Sequence, residues 1–322
     1  MPSAPTLVFI PGAWHKPTGY NRVINILESE FNLKCKTVTL PSTLGDPNAT
    51  FKDDRDAAAE VINSETSSGR NVLLVAHSYG GAVANSALKG FTQHSHLSAS
   101  PSTEPVPTKS GHVLGLVLIA SGFSLTGFAF MALLLNRPPP TWRANTSTGF
   151  ADIVMPPREF FYHDLDPKDA EHWAAELCPQ SLKALFEGGE YVYSGWRDVP
   201  VWYLGTTEDR GLPVAIQRVQ VGMAWAMGAS VTHVEVGTSH SPFLSVPRTT
   251  AGWLGSVVES VSGESVSGGA VGGREEETRV VKPRIGFVDV GSWVRYGLPY
   301  GFGWAVGKLI LGLQWVGRWR RS

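Results

Sequence analysis

Hydrophobic and polar positions along the chain divide it into two alternating kinds of segment. Short apolar runs over residues 6–10, 72–76, 113–120, 201–204 and 231–236 read as buried strands, and residues 36–40 as a further one. Between them lie stretches with apolar residues at helical spacing: Val23, Ile24 and Leu27 within 17–28, then 50–63, then Ala82, Val83, Ala84, Ala87 and Leu88, then 214–227. Thr50, with Asp53 and Asp54 just behind it, marks a helix start, because a hydroxyl caps free N–H groups there and the dipole favours acids. The alternation predicts an α/β domain whose mostly parallel sheet carries helices on both faces through right-handed crossovers.

Two regions break the alternation. Residues 123–197 hold helical pieces over 128–135, 168–177 and 180–186, separated by Pro138, Pro139, Pro140, Pro156 and Pro157 and rich in aromatics. An insertion there, after the strand that ends near Ser121, is expected to form a helical lid that walls a pocket and excludes water. From about residue 256 the chain turns to Gly, Ser and Val, which predicts a flexible linker to 283. Residues 284–322 then form an apolar tail. Within 296–316 only Lys308 is charged, Arg318, Arg320 and Arg321 follow, and Pro299 with several glycines interrupts the run. Association with a membrane surface ranks first for this tail, ahead of a spanning anchor, packing on the preceding domain, and disorder. The main domain is thus expected over 1–255.

Composition narrows the classes. The 322 residues carry a formal net charge of -1 and 43% hydrophobic residues. No bulk basic field points to nucleic acid, and the apolar fraction is enough for a sizeable core. Cys35 and Cys178 make neither a disulfide framework nor a cysteine-rich zinc site, which suits a reducing compartment. The first residues lack the basic segment of a secretory signal, so a cytoplasmic location is expected. Residues 92–111 are rich in Ser, Pro, Thr and His and read as a surface loop. His94 and His96 have no carboxylate or cysteine pattern beside them, so no metal is expected.

The candidate chemistry begins at Ser78. It follows the third strand directly, with Gly80 and Gly81 just behind it and a helix of small residues after that. A serine on such a strand-to-helix turn projects its oxygen above the sheet, and its neighbours two residues away must be small, here Ala76 and Gly80. The helix start also aims N–H groups and a positive dipole end at a developing oxyanion. The glycine-bearing loop after the first strand, Pro11 to His15, offers a second donor. The backbone N–H groups of Ala13 and Tyr79 are the candidate pair. Downstream, the segment after the strand over 201–204 ends in Glu208 and Asp209, and Asp209, just before a turn, ranks ahead of Glu208 as an orienting acid. Of the nine histidines only His233 and His240 follow Asp209, and His240 lies in the loop beyond the last strand, where an imidazole reaches back toward a serine. Trp14, His15, Phe123 and Trp142 are candidate substrate contacts.

The segments PGAWH, AHSYGG, TTEDRGLP and GTSHSPFLS together resemble those of the α/β-hydrolase superfamily, over residues 5 to about 255. The chain is most similar to the lidded carboxylesterase branch that includes plant methylesterases and hydroxynitrile lyases. The order Ser78, Asp209, His240 is the family's order. Ala76 and Pro11 depart from it, where Gly and His are usual. The resemblance implies the α/β-hydrolase fold, a Ser–His–Asp triad, no cofactor, and a small apolar ester, lactone or thioester as substrate, with a place in small-molecule metabolism as for fungal members. A lyase or cyclase using the same pocket without an acyl-enzyme, and a non-catalytic ligand receptor, stay open.

Overall fold

The computed structural model describes residues 4–93, 110–263 and 279–319, with side chains of the last helix described through residue 316. Among these, the strands are β1 (Thr6–Ile10), β2 (Cys35–Thr37), β3 (Val72–His77), β4 (Val113–Ile119), β5 (Trp142–Asn145), β6 (Phe150–Ile153), β7 (Val201–Thr206) and β8 (Val231–Val236). The principal helices are α1 (Asn21–Phe31), α2 (Phe51–Thr66), α3 (Gly80–Ala87), α4 (Pro157–Phe161), α5 (Pro167–Ala175), α6 (Leu182–Phe186), α7 (Val214–Ala226), α8 (Pro242–Ser245), α9 (Pro247–Ser262) and α10 (Leu298–Trp319).

The main sheet has the order β2-β1-β3-β4-β7-β8, and every neighbouring pair in it is parallel. Its central strands are apolar on both faces because helices cover both, so β1 and β3 are buried from end to end. The parallel register brings the carboxyl ends of β1, β3, β4 and β7 to one edge, where the following loops converge. The start of α2 is fixed by a reciprocal cap. The Thr50 hydroxyl accepts from Asp53 N–H and the Asp53 carboxylate accepts from Thr50 N–H at 2.8 Å.

The insertion differs from a purely helical cover. It contains α4, α5 and α6 but also an antiparallel hairpin, β5 with β6, registered Trp142 to Ile153 and Asn145 to Phe150. The piece expected as a helix over 128–135 is a 3-10 turn over Phe130–Leu134, ended by Leu135 and Asn136 at positive φ. Pro138 to Pro140 follow directly and leave no room for a longer helix.

The expected domain end at 255 falls inside α9, which continues to Ser262. Leu254, Val257 and Val258 are buried, and Gly255 faces Phe31 of α1, where a Cβ would come within 2.6 Å of the ring. Gly255 is therefore a contact glycine and not the start of a linker. The loop over 94–109, with His94 and His96, and most of the linker, 264–278, lie outside the described residues. Of the tail, Val281 pairs with Glu235 at the free edge of β8, and α10 lies along α7. No helix among the described residues is long and apolar enough to cross a membrane.

Candidate active site

The site grows from the turn between β3 and α3. Ser78 has φ of 51°, a left-handed conformation that a side-chain-bearing residue adopts only where its surroundings force it. The surroundings are tight. A Cβ on Gly80 would sit 2.3 Å from Pro11 O, and one on Gly81 would sit 1.9 Å from Ser121 Oγ. Ser121 Oγ donates to Ser78 O at 2.6 Å and ties the turn to the end of β4. Glycine at these two positions lets α3 approach β1 and β4 closely enough to hold the strained serine.

Two candidate backbone donors belong to residues that share the cavity with Ser78. Ala13 and Tyr79 both line it, and their N–H groups donate to no acceptor among the described residues. The Ala13 loop is braced from the insertion. Trp14, at φ 62°, donates its indole N–H to Ala151 O at 2.9 Å, and Cys178 N–H donates to Trp14 O at 2.8 Å. Tyr79 is braced from below, its hydroxyl donating to Asp54 at 2.7 Å. Asp54 also accepts from the Ser42 hydroxyl at 2.6 Å and the Ser42 N–H at 2.9 Å. Burial pushes its carboxyl up to about 6, against the lowering effect of these bonds.

Asp209 is the acid at the end of β7, and Glu208 beside it is exposed. One oxygen of Asp209 accepts from Gly211 N–H and Leu212 N–H, both at 2.7 Å. The other accepts from Thr206 Oγ1 at 2.7 Å, Gln217 Nε2 at 3.2 Å and His240 Nδ1 at 2.7 Å. A buried carboxylate with five donors is fixed in place, and the bond to Nδ1 leaves His240 Nε2 as the nitrogen open to a reacting group. His240 is held from its backbone as well, since His77 Nε2–H donates to His240 O at 2.9 Å. The two rings lie 4.5 Å apart, and burial together with the neighbouring His240 and His15 keeps His77 neutral, far below the usual histidine range. From the insertion, Asp164 accepts from Ser239 N–H and Phe161 O from the Ser239 hydroxyl, each at 2.8 Å, next to His240.

Ser78 and His240 line the same cavity. Among the described residues no hydrogen bond joins Ser78 Oγ to the imidazole, a contact that in such sites commonly tightens in the substrate complex. The cavity, about 370 Å³, is walled largely by apolar side chains, among them Trp14, Phe123 and Trp142. Phe123 is stacked on Tyr203 at 5.7 Å, and Trp142 meets Trp14 edge-on at 5.7 Å. Its size and greasiness suit a small apolar ligand with few polar anchors.

His15, expected to touch substrate, does not line the cavity. Its Nδ1 bonds Ala13 O at 2.6 Å and its Nε2 meets the Tyr162 hydroxyl at 2.9 Å, so both ring nitrogens are used in bracing the donor loop. Burial lowers its pKa to about 4 and keeps it neutral. Sequence reasoning also missed the supports Asp54, Gln217, Ser121 and Asp164. Each acts across a long separation or from a position whose local pattern suggested another role. Asp54, for instance, reads as a dipole-facing acid of α2, yet it is fully buried.

Residues 7–253 match the family model described as alpha/beta hydrolase family. A curated relative, the alpha/beta hydrolase nvfD of Aspergillus novofumigatus (strain IBT 16806), is 24% identical over 265 residues, covering 81% of this chain and 98% of its own. Among solved structures, a pyrethroid hydrolase from Sphingobium faniae JZ-2 superposes with TM-score 0.61 at 18% identity, over 81% of this chain and all of the other. Polyneuridine aldehyde esterase gives 0.59 at 19% identity over 79% and 99%, and tomato methylketone synthase I gives 0.61 at 16% over 80% and 99%.

Proposed function

The chain belongs to the alpha/beta hydrolase family, and from that premise we propose that it is a serine hydrolase of an apolar carboxylic ester, lactone or thioester, working through an acyl-enzyme. The observation that carries this reading is the buried Asp209–His240 pair, bonded at 2.7 Å and opening on the cavity that also holds the strained Ser78. In this reading His240 Nε2 takes the proton as Ser78 Oγ attacks the substrate carbonyl carbon. Asp209 keeps Nδ1–H in place and stabilises the imidazolium that forms. The Ala13 and Tyr79 N–H groups receive the oxyanion, and one such donor is worth about 3 kcal/mol in comparable enzymes. His240 then protonates the leaving alcohol or thiol, and water, activated by the same imidazole, releases the acid. The similar solved structures include a pyrethroid hydrolase and polyneuridine aldehyde esterase, and small apolar esters are the first substrate class to test.

The test is a panel of p-nitrophenyl esters, aryl lactones and acyl thioesters, with the wild type beside Ser78→Ala. Turnover lost by at least about 10³-fold in Ser78→Ala supports the reading. Full retention of turnover overturns the assignment of Ser78, absence of both turnover and fluorophosphonate labelling favours a lyase or cyclase, and tight binding without turnover favours a receptor.

The tail supports a proposal for a partner. Leu298, Phe302, Leu309, Leu313 and Trp315 of α10 are exposed, and 298–322 contains no acidic residue while Lys308 and three arginines give it positive charge. An apolar and basic outer surface fits an anionic lipid interface. Co-sedimentation with phosphatidylserine-containing vesicles that drops sharply in Phe302→Glu/Leu309→Glu supports it. Equal pelleting of the two proteins, or none of the wild type, rejects it.

A further inference from the structure

The tail does more than rest on the domain, because α10 supplies part of the cavity wall. Val306 and Ile310 line the same cavity as Ser78 and His240, next to Ile216 and Met223 of α7. The inward face of α10 is set by spacing: Tyr300, Gly303, Gly307 and Ile310 recur every three or four residues, and the glycines are buried. Both glycines serve a close backbone approach. A Cβ on Gly303 would fall 1.9 Å from Val219 O, and one on Gly307 would fall 2.7 Å from Met223 O. Gly222 of α7 reciprocates, since its Cβ would meet Tyr300 O at 2.3 Å.

Polar anchors then fix the position of the helix along α7. Tyr300 OH meets His233 Nδ1 at 2.7 Å. Arg218 makes two 2.7 Å bonds to Glu235, and its remaining nitrogen donates to Arg295 O at 2.9 Å. Glu235 also exchanges backbone bonds with Val281. A helix held by interlocked backbones and a buried ion pair is a fixed wall and not a loose appendage. The family match ends at residue 253, and relatives are covered almost end to end by about four-fifths of this chain, whereas α10 begins at Leu298.

We propose that α10, which lies beyond the family match, is a specificity element: Val306 and Ile310 form the wall that sets how long an apolar substituent the cavity accepts. The proposal rests on the reading of this cavity as the substrate pocket. A short acetyl group fits beside Ser78 without reaching every wall of a 370 Å³ cavity, whereas a long alkyl chain must pack along the walls.

The experiment measures kcat/KM of the full-length protein on p-nitrophenyl esters from acetate to dodecanoate, and on the matching series of alkyl butanoates. Ile310→Trp is expected to lower the long-to-short ratio at least about tenfold in one of the series, and Ile310→Ala to move the optimum to a longer chain. Gln314→Trp, exposed on the same helix, leaves the ratio unchanged. Should Ile310→Trp fail to fold, Val306→Phe gives the same reading. Equal ratios in Ile310→Trp and Gln314→Trp overturn the proposal. If the wild type cleaves no ester, the hydrolase reading fails separately, and the wall is read by binding of cis-parinaric acid, which Ile310→Trp must weaken about tenfold and Gln314→Trp must not. Absence of parinaric acid binding to the wild type, in that case, also overturns it.

Discussion

Asp209 is held in place by donors on both of its carboxylate oxygens. Asp209 and Glu208 are adjacent acids, and the sequence ranked Asp209 first from its place before a turn. The structure gives the reason for the difference: Asp209 is buried under five donors and touches His240, while Glu208 is exposed and its N–H donates to Thr238 O at 3.0 Å. Asp209→Asn is therefore expected to lower kcat about 10³- to 10⁴-fold, because an amide presents a donor to Nδ1 and disturbs the tautomer. Glu208→Gln is expected to stay within about twofold. Steady-state ester hydrolysis by both variants checks the pair, and equal losses would mean that the assignment of the acid is wrong. The positions of Ser78, Asp209 and His240, just beyond β3, β7 and β8, were legible because periodicity marks those strands, while their catalytic roles belong to the proposal. His15 was misplaced because nothing local tells a loop histidine that faces a ligand from one whose two nitrogens are taken by Ala13 and Tyr162.

At the scale of elements, the strands and the crossover helices were readable because burial on both faces leaves an unbroken apolar run. The β5–β6 hairpin was not. Its short strands alternate only over four residues each, and the surrounding prolines and aromatics masked them. The boundary at 255 was drawn where the composition shifts to Gly, Ser and Val, yet α9 runs on to Ser262 and Phe31 requires the absence of a side chain at Gly255. The same logic makes a prediction for α10. Gly303→Leu forces the helix off the α7 backbone, with an overpacking cost of about 2 kcal/mol. The variant is expected to expose the tail to limited proteolysis at rates well above wild type, with a fall in Tm of a few degrees. Unchanged cleavage and Tm would show that α10 is not seated as described.

For the whole molecule, buried titratable groups outside the triad set the response to acid. Burial lowers His15 to about 4 and His233 to about 3, and it lowers His77 well below the ordinary value of 6.5. These groups stay neutral in the fold while the unfolded chain takes up protons below pH 6.5, so their stabilising contribution is lost as pH falls from 6.5 toward 3–4. Asp54 acts oppositely. Its folded value of about 6 lies above the ordinary 3.8, so protonation between pH 6 and 3.8 favours the fold. Glu65, buried and lowered to about 2 by hydrogen bonds from Arg70 and Lys34, also favours the fold less as it is protonated, so the histidines and Glu65 outweigh Asp54 and stability is expected to fall between pH 7 and pH 4. Urea unfolding at these pH values checks it, and a flat or rising stability would contradict the burial of the histidines. None of this was readable from composition, because a net charge of -1 carries no information about which ionisable groups are interior.

Whether Ser78 is an activated nucleophile is tested by intact-mass analysis after reaction with a fluorophosphonate, which phosphonylates such a serine. A single adduct mapped to Ser78 is expected, absent in Ser78→Ala and formed at least about 10²-fold more slowly in His240→Ala. An unmodified wild type, an adduct on another residue, or an undiminished rate in His240→Ala would contradict it.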